Sequence, residues 1–148
     1  MASFTLAGLD QIMLRMQSQG KVDEIVPDML IAGAKVLIPY QKAEAERVAM
    51  GDDSIGTMAR SIGATNVRKT KSGGLAIQVY PQGEQPHGNP FKKKGGMVSN
   101  ASVGFMLEYG TSKMASRPWI SVARIKAEQA VIDAMTKVYL EWEAKQDA

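Results

Sequence analysis

Gly63-Ala64-Thr65-Asn66-Val67-Arg68-Lys69-Thr70-Lys71-Ser72-Gly73-Gly74-Leu75-Ala76-Ile77-Gln78-Val79-Tyr80-Pro81 is where a helical pattern gives way to an alternating one. Leu75, Ile77 and Val79 alternate with Ala76, Gln78 and Tyr80, the period of a half-buried strand. Lys71-Ser72-Gly73-Gly74 separates that run from residues 63–71, and Gly73 or Gly74 can supply the positive φ of a tight turn. Residues 63–81 therefore read as a β-hairpin between two helical regions.

On the N-terminal side, residues 1–62 read as a helical half. Leu6, Leu9, Ile12, Met13 and Met16 recur at helical spacing within residues 5–18, and Gly20 ends that element. Asp23 is a candidate N-cap for a second helix, striped by Ile25, Val26, Met29, Leu30, Gly33, Val36, Leu37 and Tyr40. Pro39 predicts a kink or stop there. Residues 41–50 are again rich in helix formers. After the break at Gly51-Asp52-Asp53, Ser54 is a candidate cap for a short helix through Ile62.

On the C-terminal side, residues 82–100 have no periodicity. They hold Gly83, Pro86, Gly88, Pro90, Gly95, Gly96 and the run Lys92-Lys93-Lys94, and they read as a long mobile loop. Residues 101–148 carry a Gly-Thr loop and a final helix, for which Pro118 suits the first position. Ile120, Ala123, Ala127, Val131, Ala134, Val138 and Trp142 form one stripe of that helix, flanked by Val122, Ile125, Ile132, Met135 and Tyr139. So broad an apolar surface needs cover, either from the long second helix or from a neighbouring copy. The length of 148 residues fits a single domain.

Composition removes several classes of chemistry. The chain has no cysteine and one histidine, His87, so thiolate metal sites, disulfides and a cysteine nucleophile are excluded. No GxxxxGK, GxGxxG, HExxH or GxSxG pattern occurs. Asp52-Asp53 reads as a cap or a solvated pair, and the ten methionines as adaptable packing. No catalytic residue, metal ligand or cofactor site is predicted. Met1 to Gly20 lacks a basic n-region, and no apolar run approaches a membrane span, so a soluble protein is expected. Net charge is +3, yet Arg68 to Lys94 holds six basic residues against Glu84 alone. Such a segment is either a solvated loop or a contact for a polyanion or an acidic protein face.

The most distinctive stretch is Phe105-Met106-Leu107-Glu108-Tyr109-Gly110-Thr111-Ser112-Lys113-Met114-Ala115-Ser116-Arg117-Pro118-Trp119-Ile120. It reads as a strand–loop–helix joint in which Trp119 anchors the last helix against the sheet. Glu108 interrupts an apolar segment and needs a partner, for which Arg117 is the nearest guanidinium. Gly110 supplies the backbone freedom of the turn.

The pattern Glu108-Tyr109-Gly110-Thr111, a short gap, then Ala115-Ser116-Arg117-Pro118-Trp119 and an apolar C-terminal helix resembles the signature of a tailed-phage family. Its members are small tail-completion or head–tail joining (neck) proteins. They show Glu-aromatic-Gly-Thr followed by Ala-x-Pro-aromatic, with an N-terminal Ala-Pro-like helix end and a Gly-x-Leu-x-x-Ser-Ile element. Here Ile38-Pro39 and Gly56-Thr57-Met58-Ala59-Arg60-Ser61-Ile62 stand in those places. Met58 replaces the usual Leu, Trp119 the commoner Phe, and the stretch from Pro39 to Gly56 is longer than the family pattern. The resemblance implies an α+β subunit, with long helices on a small antiparallel sheet and the Tyr-Gly-Thr loop at a subunit edge. It implies a structural virion protein of the head–tail junction, made in the bacterial host cytoplasm and without catalysis or cofactor. Its implied partners are copies of itself in a six-fold ring, the head connector, tail-terminator or tail-tube proteins, and DNA in the channel.

Two other readings remain open. One is a nucleic-acid-binding module that uses residues 68–94, with Lys92, Lys93 and Lys94 as its densest charge; it lacks the aromatic interleaving of a stacking platform. The other is a small hydrolase or transferase, which a polar pocket around Glu108 would support.

Overall fold

The computed structural model describes residues 22–86 and 96–146. The predicted helix over 5–18, His87, Phe91 and Lys92, Lys93 and Lys94 lie outside the described residues. The fold is α+β, with long helices and small antiparallel two-stranded sheets. In chain order the elements are α1 (Val22–Ala49), α2 (Asp53–Arg60), β1 (Ile62–Ala64), β2 (Arg68–Lys69), β3 (Leu75–Ala76), β4 (Val79–Pro81), β5 (Glu84–Pro86), β6 (Met97–Ser99), α3 (Asn100–Tyr109) and α4 (Ile120–Gln146).

The backbone of the fold is an antiparallel pair, α1 against α4. Ile25 and Met29 meet Tyr139, and Leu37 meets Ala127 and Val131. The buried positions of α4 are Ala123, Ala127, Val131 and Tyr139, with Met135 half-buried among them. That is a row of four-residue steps, the inclined ridge that packs into a neighbouring helix's grooves. It takes Tyr139 inside, where the predicted stripe placed Val138 and Trp142, which are only half-buried. The helices approach closely at Gly33, where a Cβ would lie 3.1 Å from the Met135 side chain. So α1 covers the inner face of α4, while Ile125 and Leu140 stay exposed.

Pro39 neither stops nor splits α1, which runs through both Pro27 and Pro39. Proline removes one backbone hydrogen bond, here the one to the carbonyl of Lys35. Pro39 and Lys35 are both exposed, so the carbonyl that loses this partner lies on the solvent side of the helix. Buried Leu37, Gln41, Glu44, Ala45 and Val48 hold the flanking turns in register. The start also differs, since α1 already includes Asp23.

Asp52, not Ser54, caps α2: its carboxylate accepts the backbone N–H groups of Ser54 (2.9 Å) and Ile55 (3.2 Å). From there Ile55, Met58 and Ala59 join Ala45, Val48, Ala49, Ile62, Val103, Leu107 and Trp119 in the main core.

The predicted hairpin forms, but in two pieces. Ile62, Gly63 and Ala64 pair with Pro81, Tyr80 and Val79, and Arg68 and Lys69 pair with Ala76 and Leu75. Residues 65–67 therefore oppose only residues 77–78, and the extra residue on the outgoing strand is a bulge. Thr65 bridges it, donating its N–H to Gln78 O (2.8 Å) and accepting Gln78 N–H on its hydroxyl (3.1 Å).

The segment read as a mobile loop is a second hairpin at both of its ends. Glu84, Gln85 and Pro86 pair with Ser99, Val98 and Met97. Polar side chains, not apolar alternation, moor it. Buried Gln85 donates to Ser54 O (3.0 Å) and to Asn100 Oδ1 (2.9 Å), and Asn100 donates to Gln82 O (2.8 Å). Among the described residues no helix is long and apolar enough to cross a membrane.

Candidate functional site: the Glu108–Trp119 joint

The segment before Glu108 is a helix, not the strand predicted. Ser99 caps α3 by accepting the N–H of Ser102 (3.1 Å). Asn100, Val103, Gly104 and Leu107 are its buried residues, at helical i, i+3, i+4, i+7 spacing. That face sets Leu107 in the core and Glu108 beside it, aimed at the start of α4.

Glu108 is partly buried, as its apolar neighbours predict, but its partner is not Arg117. Oε2 accepts the backbone N–H groups of Trp119 and Ile120, both at 2.8 Å, and Oε1 accepts that of Ser121 at 3.2 Å. The carboxylate thus satisfies donors that the first turn of a helix leaves without partners, and its charge faces the positive end of the helix dipole. Burial pushes its pKa up; the Ser121 hydroxyl and the N–H groups of Trp119, Ile120 and Ser121 outweigh this and hold it below the ordinary range. The cap reaches back eleven to thirteen residues along the chain, so no local capping pattern announces it.

Arg117 serves a different helix end. Its guanidinium donates to Val48 O in the last turn of α1 (3.2 Å), and its backbone N–H donates to Leu107 O (2.6 Å). A cation on those carbonyls complements the negative end of α1. Arg47 reinforces the tie by donating to Pro118 O at 3.3 Å. One acidic and one basic residue of the motif each close a helix terminus, and nothing is left for them to do to each other.

Pro118 is exposed and precedes the helix, and Trp119 is its cap residue, its carbonyl accepting the N–H of Ala123 (2.9 Å). Trp119 is fully buried. Its indole N–H donates to Gly104 O (2.9 Å), so the ring is moored chiefly on α3. Gly104 is required there, because a Cβ would lie 2.9 Å from the indole ring. Gly110 has φ 76° and ψ 176°, a conformation open essentially to glycine alone. A Cβ there would also meet Ser116 N at 2.8 Å and Met114 O at 2.9 Å. Thr111 and Met114 exchange backbone hydrogen bonds and close the loop. Tyr109 projects from it, 73% exposed and stacked on Phe105 with ring centroids 6.1 Å apart.

Beside the joint lies an open cleft of about 340 Å³, walled mainly by Ile55, Val98, Val103, Met106, Leu107 and Met114, with Thr111 at its rim. Its surface is mainly apolar although Asp52 and Ser54 also line it, and the Glu108 carboxylate does not. No group of three or more His, Asp or Glu among the described residues is placed to hold a metal ion.

Sequence reasoning missed a buried carboxylate. Glu44 sits 7% exposed between Lys126 Nζ (2.5 Å) and Arg47 Nε (2.6 Å), and hydrogen bonds from Lys126 first, then Arg47, hold its pKa below the ordinary range. The only available signal was a glutamate on the stripe side of α1. Compared with protein-family models, curated proteins and solved structures, the chain gives no match.

Proposed function

We propose that this chain is a structural subunit of a tailed-phage head–tail junction, completing the tail or joining it to the head connector as one member of a ring. The observation that carries the reading is what the motif residues do together. Glu108, Gly110, Arg117 and Trp119 build one rigid joint between α3, α4 and the end of α1. A motif that spends its charged groups on helix ends serves shape rather than chemistry.

The joint also presents a surface suited to assembly. Phe105, Met106 and Tyr109 are exposed on α3, and Met97 is exposed on β6. Exposed apolar groups gathered beside an apolar cleft mark contact sites between proteins. In a ring each copy would offer the same patch to its neighbour. The test is mass measurement of the purified protein, alone and mixed with an extract containing tail tubes. A shift from the monomer to a closed multimer on the tube end supports the reading. A protein that stays monomeric and unbound in both samples contradicts it.

A further inference from the structure

We infer that the tip of the first hairpin is a docking point for the phosphate backbone of double-stranded DNA. This role stands on the hairpin itself and does not depend on the head–tail reading. Residues 54–83 contain no Asp or Glu, in a chain that has fifteen, and three of the four cations of that stretch collect at the hairpin tip. These three, Arg68, Lys69 and Lys71, are all exposed, and none has an ion pair among the described residues.

The tip is built, not merely solvated. Thr70 donates its N–H to Gly74 O (2.7 Å) and accepts the N–H of Gly73 on its carbonyl (3.0 Å). Its hydroxyl accepts the N–H of Gly74 (3.1 Å) and is within 3.0 Å of the Ser72 hydroxyl. Gly73, at φ 88°, makes the reversal. The charges are therefore presented on a fixed turn, which lowers the ordering cost of binding.

The partner's chemistry follows from what the tip lacks. Residues 68–74 are Arg, Lys, Thr, Lys, Ser, Gly and Gly, without one apolar side chain. A protein partner would normally meet an apolar centre, and here there is none. A single strand would meet stacking rings, and the tip has none. Arg68 and Lys69 are neighbours on one strand, so they stand on opposite faces of a two-stranded ribbon. Such a ribbon enters the ~12 Å major groove of B-form DNA and can reach phosphates on both walls. The deep, narrow major groove of A-form RNA does not admit it. The tip offers three cations and no Asn, Gln, Asp or Glu, so neutralisation of phosphates, which carries no sequence information, is its main contribution to binding.

The experiment is a salt titration of binding to a fluorescent duplex of about 20 base pairs, starting near 50 mM salt. It compares the natural chain, the triple variant Arg68→Gln/Lys69→Gln/Lys71→Gln, and a charge-matched control, Lys35→Gln/Lys137→Gln/Lys145→Gln. Circular dichroism verifies that each variant is folded. The tip variant should bind about ten-fold or more weakly, and its slope of log affinity against log salt should flatten by about 0.9 for each phosphate that it no longer neutralises. The control should keep the natural slope. The inference is overturned if the natural chain does not bind, if both variants weaken alike, or if polyglutamate competes as well as unlabelled duplex.

Discussion

Replacing Glu108 by alanine removes the acceptor for three backbone N–H groups at once, those of Trp119, Ile120 and Ser121. Losing an ordinary N-cap costs about 0.5–2 kcal/mol. Hydrogen bonds to a charged group are worth about 1.5–3 kcal/mol each, but exposed donors recover most of that from water. Ser121 is exposed and Ile120 half-exposed, whereas the Trp119 N–H belongs to a fully buried residue. The net cost of Glu108→Ala should therefore be about 2–3 kcal/mol, and that of Glu108→Gln, which keeps one carbonyl oxygen, about half as much. Urea unfolding at pH 7, followed by tryptophan fluorescence and far-ultraviolet circular dichroism, reads this as a shifted midpoint with an unchanged slope. Arg117→Ala loses a single bond to Val48 O and should cost about 1 kcal/mol. Because Glu108 and Arg117 serve different helix ends, the double variant should be additive within about 0.5 kcal/mol. A Glu108→Ala protein within about 0.5 kcal/mol of the natural one, or a coupling energy above about 1 kcal/mol with Arg117, would refute this reasoning.

Both Glu44 and Glu108 have folded pKa values below the ordinary 4.5. The unfolded chain then binds more protons in the window below 4.5, so this stability is complete above that value and is lost as pH falls. Melting temperature measured from pH 6 to pH 3 should drop below about 4.5, and the double variant Glu44→Gln/Glu108→Gln should drop less steeply. Gly110→Val sets a Cβ against Ser116 N and Met114 O in a glycine-only conformation, and should cost about 3 kcal/mol or abolish soluble expression; Thr111→Ala, by comparison, should stay within about 0.5 kcal/mol by urea unfolding. Gly104→Ala should push the indole of Trp119 out of place at about 1–3 kcal/mol, visible as a change in near-ultraviolet circular dichroism before any loss of helix signal.

What could be read from residues alone was what repeats locally. The stripe of α1, the turn at Gly73, the glycine requirement at Gly110 and the partial burial of Glu108 all follow from period or composition within a few positions. Several of the failures share one cause, namely partners distant in sequence. Pro39 carries a local rule for ending a helix, and packing of Leu37, Gln41 and Ala45 along α1 overrides it. Asn100 and Gln85 look like loop residues, yet their amides bond to each other and to Gln82 and Ser54, which closes the second hairpin. Arg117 is the nearest guanidinium to Glu108 in sequence, but the N–H groups at the start of α4 are nearer in space. The helix α3 was legible in principle, since Asn100, Val103, Gly104 and Leu107 keep helical spacing. An asparagine and a glycine among four buried positions hid it, because neither counts as apolar in a pattern search.

The role proposed for this chain is to help build the junction between head and tail. Quantitative peptide counting in purified tailed particles from a host that carries the gene tests it most directly, with the tail-tube and portal subunits as internal standards. A small fixed number of copies is expected, about six per particle as in a closed ring, retained in intact particles and missing from isolated empty heads or from tubes that have lost their upper end. Absence of the chain from complete particles, or a copy number that varies with preparation, would contradict it.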